Sequence, residues 1–130
     1  MYTERLLEHF RSPHNVGELP APALTVDVSN PACGDMLRLS AQVQQGVVRE
    51  VRYKVKGCTA SIAAGSALTD WMRGKSVAEL AGFDAAVIDE ALGGLAAESG
   101  HAAALCADGV RALLRSLQSS PGNALRIVEG

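Results

Sequence analysis

The sequence predicts an α+β fold: a small antiparallel β-sheet packed on one face by helices. Two observations carry this. Apolar and polar residues alternate with period two between Leu37 and Val55, and from Thr59 onward the apolar residues recur at three- and four-residue steps instead. Strands first and helices afterwards is the α+β order. With 130 residues, 48% of them hydrophobic, the chain is long enough for one core and short for two, so residues 1–130 are read as a single domain.

The elements follow in order. Leu6, Leu7 and Phe10 at helical spacing predict a short helix over Thr3–Arg11, ended before Pro13, and the Pro/Asn/Gly-rich segment through Pro22 reads as loop. Leu24–Val28 is a candidate edge strand. Leu37, Leu39, Ala41 and Val43 alternate with Arg38, Ser40, Gln42 and Gln44, the pattern of a half-buried strand. Val51, Tyr53 and Val55 repeat it beyond Gln44-Gln45-Gly46, a hairpin turn with glycine in the left-handed position. A helix from Thr59 carries Ile62, Leu68, Trp71 and Met72 toward the core and ends near Gly74. Ser76 and Glu79 form a capping-box pair for the next helix. Asp84 caps another, whose Val87, Ile88, Ala91 and Leu92 face inward until Gly93-Gly94 stop it. The last helix has the plainest stripe, with Ala103, Cys106, Val110, Leu113, Leu114 and Leu117 suited to covering the sheet.

Composition excludes several roles. A formal net charge of -2 from interspersed acids and bases offers no basic stripe for a phosphate backbone, so nucleic acid is not an expected partner. Neither an N-terminal signal pattern nor an apolar run of about 20 residues occurs, which predicts a cytoplasmic protein without a membrane span. Three cysteines in a reducing compartment argue against a disulfide framework and for metal binding, reactivity or burial.

The hairpin brings chemistry together. Residues paired across it have position numbers summing to about 90 or 92 if the alternation and the turn are as read. Either register sets Cys33–Asp35 opposite Val55–Thr59. The Cys33 and Cys58 thiols and the Asp35 carboxylate then fall within the roughly 5 to 8 Å of cross-strand neighbours. Gly34 and Gly57 leave the backbone open there. Cys58 precedes a helix, where free N–H groups and the macrodipole favour a thiolate. His101 occupies the corresponding place before the last helix. Thiolates with an imidazole and a carboxylate suit zinc or iron rather than calcium or magnesium. Plainer readings stand beside this one: cysteines that only pack, His101 as a capping residue, and Asp35 blunting a sheet end. Cys106, on the apolar stripe, is read first as a core residue and second as a ligand. His9 and His14 read as solvated, and Trp71 and Met72 as core.

Four segments then resemble the IscU and NifU N-terminal type of iron-sulfur cluster assembly scaffold, in that family's order and over nearly the whole chain. They are Tyr2–Gly17 with its Ser12-Pro13-His14-Asn15-Val16-Gly17, Asn30-Pro31-Ala32-Cys33-Gly34-Asp35, Lys56-Gly57-Cys58-Thr59-Ala60-Ser61, and the stretch from Trp71 to Ser76. The resemblance implies a scaffold or carrier that holds iron or a 2Fe-2S cluster on Cys33, Asp35, Cys58 and His101. It would pass that cargo to apo iron-sulfur acceptor proteins and receive sulfur from a cysteine desulfurase. Such a protein turns over no small substrate, and it works as a monomer or a dimer.

Two departures bear on mechanism. Ala102 stands where the family pattern places a third cysteine directly after the histidine. Cys106 follows one helical turn later, about 6 Å along. With one thiol missing, Cys58, or secondarily Cys106, becomes the expected persulfide acceptor. Leu95-Ala96-Ala97-Glu98-Ser99 replaces the family's Leu-Pro-Pro-Val-Lys chaperone motif, which counts against an Hsp70-type chaperone as partner. The alternatives are a zinc-dependent sulfurtransferase resembling the SufU branch, whose usual insertion this chain lacks, and a diverged paralogue acting as an iron store or metal-binding interaction protein.

Overall fold

The computed structural model describes residues 2–31 and 34–119. The first helix, α1 (Glu4–Arg11), is capped by Thr3, whose hydroxyl accepts from Leu6 N–H at 3.1 Å. Leu6 is its one buried residue, while Phe10 remains on the surface. The segment after α1 is irregular, as expected, but it is not merely a connection. Tyr53 N–H donates to the Asn15 carbonyl and Gly17 N–H to the Tyr53 carbonyl, each at 2.9 Å, so residues 15–17 lie along a strand edge.

Three strands form one antiparallel sheet in the order β1 (Leu24–Ser29), β2 (Met36–Gln44), β3 (Val47–Lys56). Leu37 faces Val55, Leu39 faces Tyr53 and Ala41 faces Val51, the larger of the two registers expected from the alternation. A bulge between Gln42 and Val43 shifts the last pairs to Val43–Val48 and Gln44–Val47. The turn itself holds both Gln45 (φ 54°) and Gly46 (φ 75°) in the left-handed region, the geometry that matches the twist of a two-residue hairpin. Leu37, Leu39, Ala41, Val51 and Tyr53 point to one face and are buried. Arg38, Lys54 and Lys56 lie exposed between them.

Helix α2 (Thr59–Met72) departs from expectation in its burial. Ile62 and Trp71, assigned to the core with Leu68 and Met72, are only half-buried, whereas Ala60, Ala63, Ala64, Gly65, Ser66, Ala67 and Thr69 are buried. The cause is position. α2 is packed by α1, β3, α4 and α5, so it has no single wet face, and small residues let its neighbours approach. A Cβ on Gly65 would stand 2.3 Å from Tyr53 Cε2. Trp71 instead meets Phe83 edge-on, 5.1 Å between centroids, at the margin of the core.

The caps occur as the sequence indicates. Gly74 takes φ 83° after α2. Ser76 and Glu79 close a reciprocal capping box on α3 (Val77–Ala81), and Asp84 accepts from Ala86 N–H at the start of α4 (Ala85–Ala91). A 3-10 turn (Ala97–Ser99) leads into α5 (Gly100–Ser119). His101 therefore sits inside the first turn of α5 rather than ahead of it. α5 lies across β1 and β2 with Ala103, Cys106, Val110, Leu113 and Leu117 buried, the larger of these contributing about 1.5–3 kcal/mol each. Among the described residues no helix is long and apolar enough to cross a membrane.

Candidate metal centre

One end of the sheet carries three donors from three elements. Asp35 precedes β2, Cys58 is the N-cap residue of α2, and His101 lies in the first turn of α5. Cys58 takes an extended backbone (φ -84°, ψ 173°) and makes no side-chain cap bond, so its sulfur is free to turn outward from the helix. Asp35 is 6% exposed. Its position follows from the loop closed by Gly34 N–H to the Asn30 carbonyl and Asn30 N–H to the Asp35 carbonyl, 2.7 and 2.9 Å.

The three donor atoms form a nearly equilateral triangle. Cys58 Sγ is 3.6 Å from Asp35 Oδ2 and 3.5 Å from His101 Nε2, and His101 Nε2 is 3.5 Å from Asp35 Oδ2. Around a tetrahedral zinc or iron with metal–sulfur near 2.3 Å and metal–N/O near 2.0 Å, sulfur-to-N/O edges are about 3.5 Å and N-to-O edges about 3.3 Å. The triangle thus already has the dimensions of one tetrahedral face, and the donor set fits a transition metal.

His101 Nδ1 lies 3.1 Å from the Glu98 carbonyl, which only accepts, so Nδ1 holds a proton and Nε2 is the nitrogen turned toward the other donors, the one whose lone pair a metal would take. Burial acts to raise the Asp35 carboxyl, but hydrogen bonds from Ser61 and Cys58, together with the His101 charge, outweigh it and hold the group below the ordinary carboxylate range. Ser61, buried one turn into α2, donates to Asp35 Oδ2 and lies 3.4 Å from Cys58 Sγ. Sequence reasoning missed this residue. The available signal was its spacing, three positions after a helix-initiating cysteine, which places both side chains on one face.

Of the other predicted site residues, Cys33 lies outside the described residues. Cys106 is not brought to the triangle. It is 2% exposed within the core, and burial pushes its thiol up to about 12. The reason is that the α5 stripe faces the sheet, whereas His101 projects from the helix start. Ala102, where the family pattern has cysteine, is fully buried in the same core.

A second donor group involves the two histidines read as solvated. His14 is exposed and His9 half-buried, but both are engaged. His9 Nδ1 is 2.7 Å from Ser66 Oγ, and His14 Nδ1 is 2.6 Å from Asp70 Oδ2.

This fold and site define a family. The NifU-like N terminal domain model matches residues 1–122, and the chain belongs to that family. It is 33% identical to the iron-sulfur cluster assembly scaffold protein IscU of Azotobacter vinelandii, covering 93% of this chain and 97% of that one. It is 32% identical to the scaffold protein IscU 1 of Archaeoglobus fulgidus, covering 85% and 72%. Among solved structures, a candidate SUF-system scaffold from Fervidobacterium islandicum AW-1 superposes with TM-score 0.69 at 17% identity, over 85% of this chain and 93% of that one.

Proposed function

We propose that this protein is a scaffold for iron-sulfur cluster assembly, holding iron or a 2Fe-2S cluster as cargo on Asp35, Cys58 and His101, with Cys33 as a further ligand, and releasing it to apo acceptor proteins in the cytoplasm. The observation that supports this best is the donor triangle, with its edges of 3.5–3.6 Å. Membership in a family that includes IscU scaffolds supports it independently. One thiolate, one imidazole and one carboxylate retain iron less firmly than an all-thiolate set, and a carrier benefits from that lability.

Sulfur delivery falls to Cys58. Its thiolate attacks the outer sulfur of a desulfurase persulfide, the old S–S bond breaks, the desulfurase cysteine leaves as thiolate, and Cys58 carries the new persulfide. Cys106 is unsuited to this, because burial both hides its sulfur and keeps it protonated.

A second reading is a zinc-held sulfurtransferase. It is favoured by the same triangle, whose dimensions suit a single tetrahedral ion. Zinc held by Asp35, Cys58 and His101 would supply positive charge that keeps Cys58 a thiolate.

Anaerobic reconstitution with ferrous iron, sulfide and a desulfurase, followed by absorption and Mössbauer spectra, separates the readings. A 2Fe-2S chromophore that moves to apo-ferredoxin is the expected result. Tight zinc with persulfide on Cys58 and no chromophore would instead establish the sulfurtransferase.

A further inference from the structure

The second donor group lies far from the triangle. Asp70 follows Cys58 by twelve positions along α2, or about 18 Å at 1.5 Å per residue, so no single ion spans both. His9, on α1, His14, in the segment after it, and Asp70, in the last turn of α2, each place one ligand atom within 4.8 Å of the other two. The imidazole centroids are 5.1 Å apart. We infer that His9, His14 and Asp70 form a second metal site, which takes a divalent first-row transition ion of the zinc or ferrous type.

Three features beyond proximity support this. The donor set of two imidazoles and one carboxylate is one that zinc and ferrous iron accept with positions left for water, and a groove lined by Glu8, His9, Arg11, Ser12 and His14 gives solvent access to it. The ligands also have supporting partners of the kind that orient metal-binding side chains. Asn15 donates its amide to Asp70 Oδ1 at 3.0 Å, which holds the other oxygen, Oδ2, facing His14 Nδ1 at 2.6 Å. Ser66 Oγ lies 2.7 Å from His9 Nδ1 and fixes the orientation of that ring. Ser66 also accepts from His14 N–H at 2.8 Å, so one fully buried hydroxyl positions both histidines. Finally, Asn15 adopts φ 61°, a left-handed conformation uncommon for a non-glycine residue, which turns the chain so that its amide reaches both Thr69 and Asp70. The His14–Asp70 contact opens by less than an ångström to reach coordination spacing, which two surface side chains permit.

The test uses the full chain carrying Cys58→Ser and His101→Ala, which removes the first site, stripped of metal by chelation and titrated with Co(II). The expected result is one equivalent bound, with weak d–d absorption, no thiolate charge-transfer band, and displacement by Zn(II). Asp70→Asn keeps the Asn15 contact and the shape of the side chain, and His14→Asn or His9→Gln alters one donor each. Each substitution weakens binding at least tenfold and abolishes the metal-induced rise in melting temperature, while the melting temperature without metal stays close to that of the parent. No cobalt uptake below millimolar concentration in the parent, or uptake unchanged by all three substitutions, would overturn the site and leave the cluster-scaffold reading untouched.

Discussion

The Asp35 carboxylate rests directly on the backbone of Gly57: a Cβ at that glycine would stand 2.6 Å from Asp35 Cγ and 2.9 Å from each carboxylate oxygen. The side chain at 57 is therefore absent where the ligand needs the space. Gly57→Ala pushes Asp35 out of the triangle without disturbing the buried core. Its expected effect is a loss of at least tenfold in Zn(II) or Fe(II) affinity, about 1.4 kcal/mol, with little change in melting temperature. Titration calorimetry beside thermal unfolding checks both halves.

Ser61→Ala removes the hydroxyl shared by Asp35 and Cys58 but leaves every donor in place. Outer-sphere partners of this kind are worth roughly 10–100-fold in metal affinity. The variant should bind metal in that proportion more weakly, and Ser61→Thr, which restores the hydroxyl, should recover most of it. Equal affinity for the alanine variant and the parent would show that Ser61 only fills space.

Cys58 and Cys106 should differ sharply toward alkylation. At pH 8 a thiol whose pKa is about 12 is only about one part in ten thousand thiolate, and Cys106 is also out of solvent. Iodoacetamide should label Cys58 in the native chain and Cys106 only after denaturation, as read by peptide mass mapping.

Gly65→Ala tests the core. The added methyl would enter the ring of Tyr53, whose hydroxyl donates to the Ile62 carbonyl at 2.7 Å, so the ring has no easy retreat. Overpacking of this type costs about 1–3 kcal/mol, visible as a lowered midpoint in urea. The same substitution should cost less in a Tyr53→Leu background, where the two changes share one volume.

The parts of this molecule that were legible in the sequence are those decided by neighbours along the chain. Alternation from Leu37 to Val55 and the turn at Gln45-Gly46 set the hairpin register, and with it the approach of Asp35 to Gly57 and Cys58. Ser76, Glu79 and Asp84 announced their helices because capping is a bond between residues two or three apart. Long-range contacts left no such trace. The burial of the small residues of α2 comes from four packed neighbours, and Ile62 and Trp71, expected in the core, are left only half-buried. His9 and His14 looked solvated because Ser66 and Asp70, which hold them, lie more than fifty positions away. Ser61 was passed over since its partner Asp35 belongs to another element.

The backbone bonds along the outer side of β3 bear on how the sheet meets other chains. Residues 15–17 occupy that edge at Tyr53. Farther along, Gly74, Lys75 and Val77 bond to Gly46 and Val48, with distances of 2.8–2.9 Å. A stray strand has nothing continuous to pair with there. Growth of the sheet by a second polypeptide is thereby obstructed on the β3 margin, the one on which the N-terminal arm is stitched down. Removing that arm would do more than delete a helix: it would bare the stretch of β3 around Tyr53 to strand pairing, while the Gly74–Val77 turn still guarded the hairpin end.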